Sequence, residues 1–205
     1  MNLDLISEKG MGFCFREDTV DSDTSLWKWE DLIRFQLNIA DRWLTRGNET
    51  QDIFSKFFSY FTGFNALYFL WRKIDGIEKG EAKQIENLLR KFDTKEAQQI
   101  FGMISTEVNY FSERLPIQRM DTRTAKNPFI GEDNEGRKWQ KALKETSSAL
   151  DRLVAIGEIL YLVRSNLFHG SKAESGDDEE IIKSSILPLK VLLTKAISMT
   201  RAKCR

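Results

Sequence analysis

Residues that build disulfide-bonded or metal-bound folds are scarce in this sequence. Its 205 residues include two cysteines, Cys14 and Cys204, and a single histidine, His169. The cysteines stand near opposite ends of the chain, so we expect neither a disulfide framework nor a zinc site. No glycine-rich phosphate loop and no cysteine or serine nucleophile signature is present either. We therefore expect no metal and no cofactor, and the reducing cytoplasm as the compartment.

Proline and long apolar runs are equally scarce. The sequence has 3 Pro against 14 Phe and 5 Trp, a balance that favours long helices over a loop-rich fold. Acidic residues precede any apolar run at the start of the chain, which is unlike a secretory signal. No 18-residue stretch is free of charge, so no membrane span is expected. The most apolar window, residues 54–71, is typical of a buried core helix, which is favoured over a surface that stacks bases.

The sequence has no excess of charge of either sign. Its 31 basic residues balance 31 acidic residues, and 41% of the chain is hydrophobic. Without an overall positive field, any contact with RNA must be local and confined to a cleft. The composition is ordinary for a globular protein, and the length fits one domain that spans residues 1–205.

Apolar residues recur at helical spacing and predict an all-α fold. After an irregular lead-in over residues 1–22, Asp23 or Ser25 is suited to cap a first helix that Gly47 and Asn48 end. Further helices are expected over about residues 50–74, 81–92, 94–114, 137–168 and 179–199.

Two local signals refine this pattern. Asp93 and Glu96 form a capping-box pattern at the start of one helix, and Pro188 is expected to kink the last one. Residues 115–136 hold two prolines and two glycines without a helical period, which predicts one long loop.

The chemistry of the chain centres on His169 and the residues just before it. A histidine donates and accepts protons near neutral pH, and Arg164, five residues earlier, carries a permanent charge on a fork suited to phosphate oxygens. Asn166 stands between them and is suited to orient a phosphate or the imidazole. Cleavage of RNA through its own 2′-hydroxyl needs a base, a stabilising cation and an acid.

Two conditions limit this interpretation. One histidine cannot act as base and acid at the same instant, whereas a symmetric dimer brings two copies together. Residues five apart on an unbroken helix differ by roughly 140° around its axis, so the helix must end or loosen between Arg164 and Gly170. Taken alone, Arg-x4-His is a weak motif, since a surface arginine and a capping histidine give the same pattern.

The run Arg164-Ser-Asn-Leu-Phe-His-Gly-Ser-Lys172 resembles the signature of HEPN domains (higher eukaryotes and prokaryotes nucleotide-binding) of the prokaryotic Arg-x4-His type. As in that family, it follows a long apolar helix and precedes a final helix. Residues 61–68, Phe-Thr-Gly-Phe-Asn-Ala-Leu-Tyr, are similar to the aromatic core helix of prokaryotic members. The resemblance is specific over about residues 150–195, looser over 25–75, and absent over 115–136.

This resemblance implies a HEPN-like up-and-down helical bundle with extra helices, which dimerises and lines a shared cleft with paired motifs. Many members are metal-independent endoribonucleases in toxin–antitoxin, abortive-infection or CRISPR-linked defence. It implies that Arg164, His169 and Asn166 are catalytic, and the expected product is a 2′,3′-cyclic phosphate. Expected partners are RNA, a second copy of the chain and an antitoxin or defence protein. The alternative is a non-catalytic HEPN-like module that binds a nucleotide, RNA or a protein.

One position departs from the family. Some HEPN toxins carry a tyrosine two positions after the histidine, which a partner nucleotidyltransferase modifies; here that position is Ser171. Control by that route is therefore not expected.

Four basic residues are candidates for guiding RNA. Arg119, Arg123 and Lys126 lie in the basic half of the long loop, and Lys172 closes the signature run. An ordinary solvated loop is the alternative. The acidic run 177–180 is interpreted as compensating the dipole of the last helix and not as a metal site.

Overall fold

The computed structural model describes residues 29–77, 80–114, 139, 141–143, 147–168 and 176–204. Within these ranges the chain forms helices and no strand, which confirms the predicted all-α class. The helices are α1 (Trp29–Glu49), α2 (Ile53–Asp75), α3 (Glu81–Leu89), α4 (Thr94–Met103), α5 (Ser105–Glu113), α6 (Ala149–Phe168) and α7 (Gly176–Lys203). Residues 139 and 141–143 are helical as well. None of the described helices has the length and apolar character needed to cross a membrane.

Helix α2 lies at the centre of the fold. Asp52 caps its start by accepting a hydrogen bond from the Ser55 N–H at 2.7 Å. The helix packs against α1, α3 and α7, which explains why its sequence is apolar nearly all round. Phe57, Phe64 and Leu67 are fully buried, so the interpretation of residues 54–71 as a core helix is confirmed.

Helix α7 closes the bundle against α2 and α1. It runs through Pro188 and extends beyond the predicted limits of residues 179–199 at both ends. The Trp71 indole N–H donates to the buried hydroxyl of Thr200 at 3.0 Å, and Arg201 forms an ion pair with Asp41 on α1. The last turns of the chain are thereby joined to two other helices.

Helix α1 continues past Gly47 and Asn48, so the prediction that these residues end it is wrong. Gly47 is buried, and a Cβ atom there would lie 2.3 Å from Cε1 of Tyr60. The Tyr60 hydroxyl donates to Asn48 Oδ1 at 3.0 Å. The glycine therefore serves the close packing of α1 on α2 and does not terminate the helix.

The helix predicted over residues 94–114 is divided into α4 and α5 at Ile104. Ile104 has φ −124° and ψ 21°, and its N–H donates to the carbonyl of Phe101 at 3.2 Å. Helix α4 packs mainly against α6, whereas α5 packs against α7. The break turns the chain so that each segment buries its apolar face on a different helix.

The helix predicted over residues 137–168 is interrupted as well, because residues 147 and 148 are not helical and α6 begins at Ala149. The Ser148 hydroxyl accepts a hydrogen bond from the Asp151 N–H at 3.1 Å and donates to the Asp151 carboxylate at 2.7 Å. Ser148 therefore caps α6, and the spacing of apolar residues carries no sign of such a cap.

The capping box at Asp93 is confirmed and gives a testable prediction. Asp93 Oδ1 accepts from the Glu96 N–H at 2.7 Å, and the Asp93 N–H donates to Glu96 Oε2 at 2.8 Å. Asp93→Ala removes the first bond and is expected to lower the free energy of unfolding by about 1 kcal/mol. Urea denaturation measures this loss, with the exposed Lys95→Ala on the same helix as a control. Equal stability of the two variants would contradict the assignment.

Candidate active site at the end of α6

The structure describes one of the three predicted catalytic residues in full. Arg164 lies near the carboxyl end of α6, which is described as far as Phe168. The backbone of Asn166 is part of this helix, but its side chain lies outside the described residues, as does His169. The helix is continuous from Arg164 to Phe168, so the expected end or loosening before Gly170 falls after Phe168, outside the described residues, and stays a prediction.

The predicted RNA-guiding residues also lie outside the described residues. These are Arg119, Arg123, Lys126 and Lys172. The same is true of the lead-in over residues 1–22 and the loop over 115–136. Their predicted roles are therefore neither confirmed nor contradicted.

The guanidinium of Arg164 is held between a carboxylate and an aromatic ring. Its Nη1 lies 3.4 Å from Glu81 Oε2, and its central carbon lies 5.7 Å from the centroid of the Phe61 ring. The side chains of Arg164 and Glu81 are 27% and 25% exposed. Because both are largely withdrawn from water, their attraction is screened less than that of a surface ion pair.

Glu81 has a second partner besides Arg164. The Tyr68 hydroxyl donates to Glu81 Oε1, so the two carboxylate oxygens contact two different residues. Burial of Tyr68 raises the pKa of its hydroxyl, and the hydrogen bond to Glu81 raises it further. Tyr68 therefore stays protonated and remains a donor at neutral pH. Glu81 also begins α3, where a negative charge complements the helix dipole.

Three helices contribute to this cluster of Phe61, Tyr68, Glu81 and Arg164, which we call the arginine clamp. Phe61 and Tyr68 are seven residues apart on α2 and so face the same direction. Glu81 comes from α3 and Arg164 from α6. The clamp thus joins the central core helix to the segment that carries the Arg-x4-His motif.

The packing of α3 on α6 sets the distance between Glu81 and Arg164. Gly157, two turns before Arg164, faces α3 so closely that a Cβ atom would lie 2.4 Å from Leu89 Cδ1 and 3.0 Å from Ile85 Cγ2. Gly157 meets the end of α3 and Arg164 meets its start, so the two helices run antiparallel. The missing side chain at residue 157 allows the close approach that brings the carboxylate to the guanidinium.

Sequence reasoning did not identify Glu81 and Tyr68 as members of the site. Tyr68 stood among the aromatic residues of the core helix, and Glu81 stood only at the start of a short helix. The ion pair joins residues 83 positions apart in the chain. No spacing rule connects residues so distant in sequence, so a folded structure was needed to find them.

The clamp presents a partly exposed cation five residues before the histidine. Such a group is suited to bind a phosphate oxygen and to stabilise negative charge that develops on it. Among the residues that the structure describes, no three His, Cys, Asp or Glu side chains are close enough together to hold a metal ion.

Comparison with family models, with curated proteins and with solved structures returned no match to this chain. The resemblance of residues 164–172 to the HEPN signature therefore remains a prediction from the motif.

Proposed function

We propose that this chain is a metal-independent endoribonuclease of the HEPN type, with Arg164 and His169 of two copies lining one cleft. The observation that carries the proposal is the position of Arg164. Its guanidinium contacts Glu81 near the end of α6, keeps part of its surface exposed, and stands five residues before the sole histidine. A cation that already faces the scissile phosphate when the substrate binds lowers the barrier to cleavage.

In the proposed reaction, the RNA 2′-hydroxyl attacks the adjacent phosphorus while the His169 imidazole of one copy takes its proton. Arg164 stabilises the negative charge that grows on the phosphate oxygens. The bond from phosphorus to the 5′-oxygen then breaks, and the protonated His169 of the second copy gives its proton to that oxygen. The products are a 2′,3′-cyclic phosphate and a 5′-hydroxyl, and no metal ion is required.

The proposed setting is toxin–antitoxin or anti-phage defence, in the cytoplasm, with an antitoxin or defence protein as partner. This part of the proposal is supported by the resemblance to prokaryotic HEPN domains alone. Asn166 is assigned to orienting the phosphate or the imidazole. The basic residues 119, 123, 126 and 172 are assigned to guiding the RNA backbone toward the cleft.

Incubation of the purified chain with RNA in excess EDTA tests this function. We expect cleavage to continue, because no step uses a metal ion. The new 3′ ends should resist phosphatase until acid opens the cyclic phosphate. Intact RNA after incubation, or cleavage that stops in EDTA, would contradict the proposal.

A second candidate is a non-catalytic HEPN-like module that binds a nucleotide, RNA or a protein. The ion pair between Arg164 and Glu81 favours this candidate, because the carboxylate offsets the charge that a transition state would use. This module would bind labelled RNA or nucleotide in fluorescence anisotropy, and the RNA would stay intact. The cleavage assay in EDTA separates the two functions.

A further inference from the structure

The contacts of Glu81 differ from those of an ordinary surface carboxylate. Its two oxygens contact Arg164 and Tyr68, which come from α6 and α2. Tyr68 is almost fully buried, at 2% exposure, so it fixes Glu81 from within the core. The carboxylate therefore links a rigid core residue to the guanidinium that the proposed reaction uses.

Glu86, on the same helix, provides a useful contrast. It forms ion pairs at 2.6 Å with Lys83 and at 2.8 Å with Arg90, both of which are about half exposed. Neither of these two partners is a core residue, and all three residues lie within α3 or at its end. Arg90 also pairs with Asp151 in the first turn of α6 at 3.2 Å, at the end of that helix remote from Arg164. Glu81 differs because its contacts join three helices at the predicted active site.

We propose that Glu81 is a positioning residue for Arg164, and that Tyr68 holds the Glu81 carboxylate in place. The inference rests on the proposed endoribonuclease function. An arginine side chain has several rotatable bonds, and its guanidinium acts only when its plane faces the scissile phosphate. Contact of Nη1 with a carboxylate that is itself anchored fixes that plane before RNA binds. The Phe61 ring restricts the guanidinium of Arg164 from a second direction.

An inhibitory role for Glu81 predicts the opposite effect of its substitution on kcat. If Glu81 competed with the phosphate for Arg164, removal of its charge would release the arginine and raise the rate. The direction of the change in kcat therefore separates a positioning residue from an inhibitory one.

Steady-state cleavage of a short RNA in EDTA tests the inference with four single variants and one double variant. Glu81→Gln keeps the size of the side chain and is expected to lower kcat by about 10- to 100-fold, with KM changed less than about threefold. Tyr68→Phe should lower kcat in the same direction by a smaller factor. Glu86→Gln, the matched control on α3, should cleave at the rate of the unmodified chain.

The double variant distinguishes positioning from a general effect on the fold. If Glu81 acts only through Arg164, then Arg164→Ala with Glu81→Gln should be no slower than Arg164→Ala alone. Far-ultraviolet circular dichroism checks that each variant keeps its helices. Should Glu81→Gln fail to fold, Tyr68→Phe tests the same link, because it keeps the carboxylate and removes its anchor.

Three results would contradict the positioning role of Glu81. Wild-type kcat in Glu81→Gln, a raised kcat, or a double variant much slower than Arg164→Ala would show that Glu81 does not position the arginine. In these cases the endoribonuclease function would stand. An unmodified chain that cleaves no RNA would overturn the proposed function and this inference together.

Discussion

His169→Ala is expected to lower the rate of RNA cleavage by about 100- to 10,000-fold, the range over which general acid–base catalysis contributes. The chain has no other histidine to take over proton transfer. In a dimer with one composite cleft, the substitution removes the base and the acid together. Single-turnover cleavage in EDTA measures the loss.

The neighbouring Ser171→Ala is a suitable control for this variant. Residue 171 holds the place where some HEPN toxins carry a modifiable tyrosine, and the proposed reaction assigns no role to its hydroxyl. We expect Ser171→Ala to cleave at the wild-type rate. Unchanged cleavage by His169→Ala would contradict the assignment of His169 as the acid and base, and with it the proposed HEPN-type mechanism.

Phe64→Ala is expected to lower the free energy of unfolding by about 3–5 kcal/mol. Phe64 is fully buried on α2, and its ring packs edge-on against Tyr68 with centroids 5.7 Å apart. Truncation removes buried apolar surface and leaves a cavity at the centre of the fold. Because Tyr68 anchors Glu81, the same cavity lies next to the arginine clamp.

Urea denaturation of Phe64→Ala and Phe35→Ala compares the stability lost when a phenyl ring is removed from a buried and from an exposed position. Phe35 on α1 is 50% exposed, so its replacement should cost less than about 1 kcal/mol. If the two variants unfold at the same urea concentration, α2 is not the centre of the core.

The sequence was most informative where structure depends on residues close together in the chain. The all-round apolar pattern of residues 54–71 predicted the central helix α2, because only a helix packed on several sides buries every face. The spacing of Asp93 and Glu96 predicted their reciprocal hydrogen bonds. Both signals lie within one or a few helical turns.

The two wrong helix boundaries are explained by contacts between helices that are distant in sequence. The break between α4 and α5 at Ile104 follows from packing on two different helices, which no local pattern displays. Gly47 carries a helix-ending signal, yet it lies inside α1 because Tyr60 needs the space. At both residues, contacts with other helices determine whether the helix breaks or continues.

The candidate site could be predicted only in part for the same reason. The motif pointed to Arg164 because arginine and histidine stand five residues apart. Glu81 and Tyr68 come from other helices and have no sequence relation to the motif. Their role became evident from the distances between α2, α3 and α6.

Cleavage by Arg164→Ala compared with cleavage by Arg152→Ala measures whether Arg164 stabilises the transition state. Both arginines belong to α6, and each lies over a phenylalanine ring, at 5.7 Å from Phe61 and 4.6 Å from Phe101. Twelve helical residues separate them by roughly 18 Å, so Arg152 is remote from the motif. We expect Arg164→Ala to slow RNA cleavage in EDTA by about 100- to 1,000-fold, while Arg152→Ala cleaves at nearly the wild-type rate. Equal cleavage rates for the two variants would show that Arg164 has no part in catalysis.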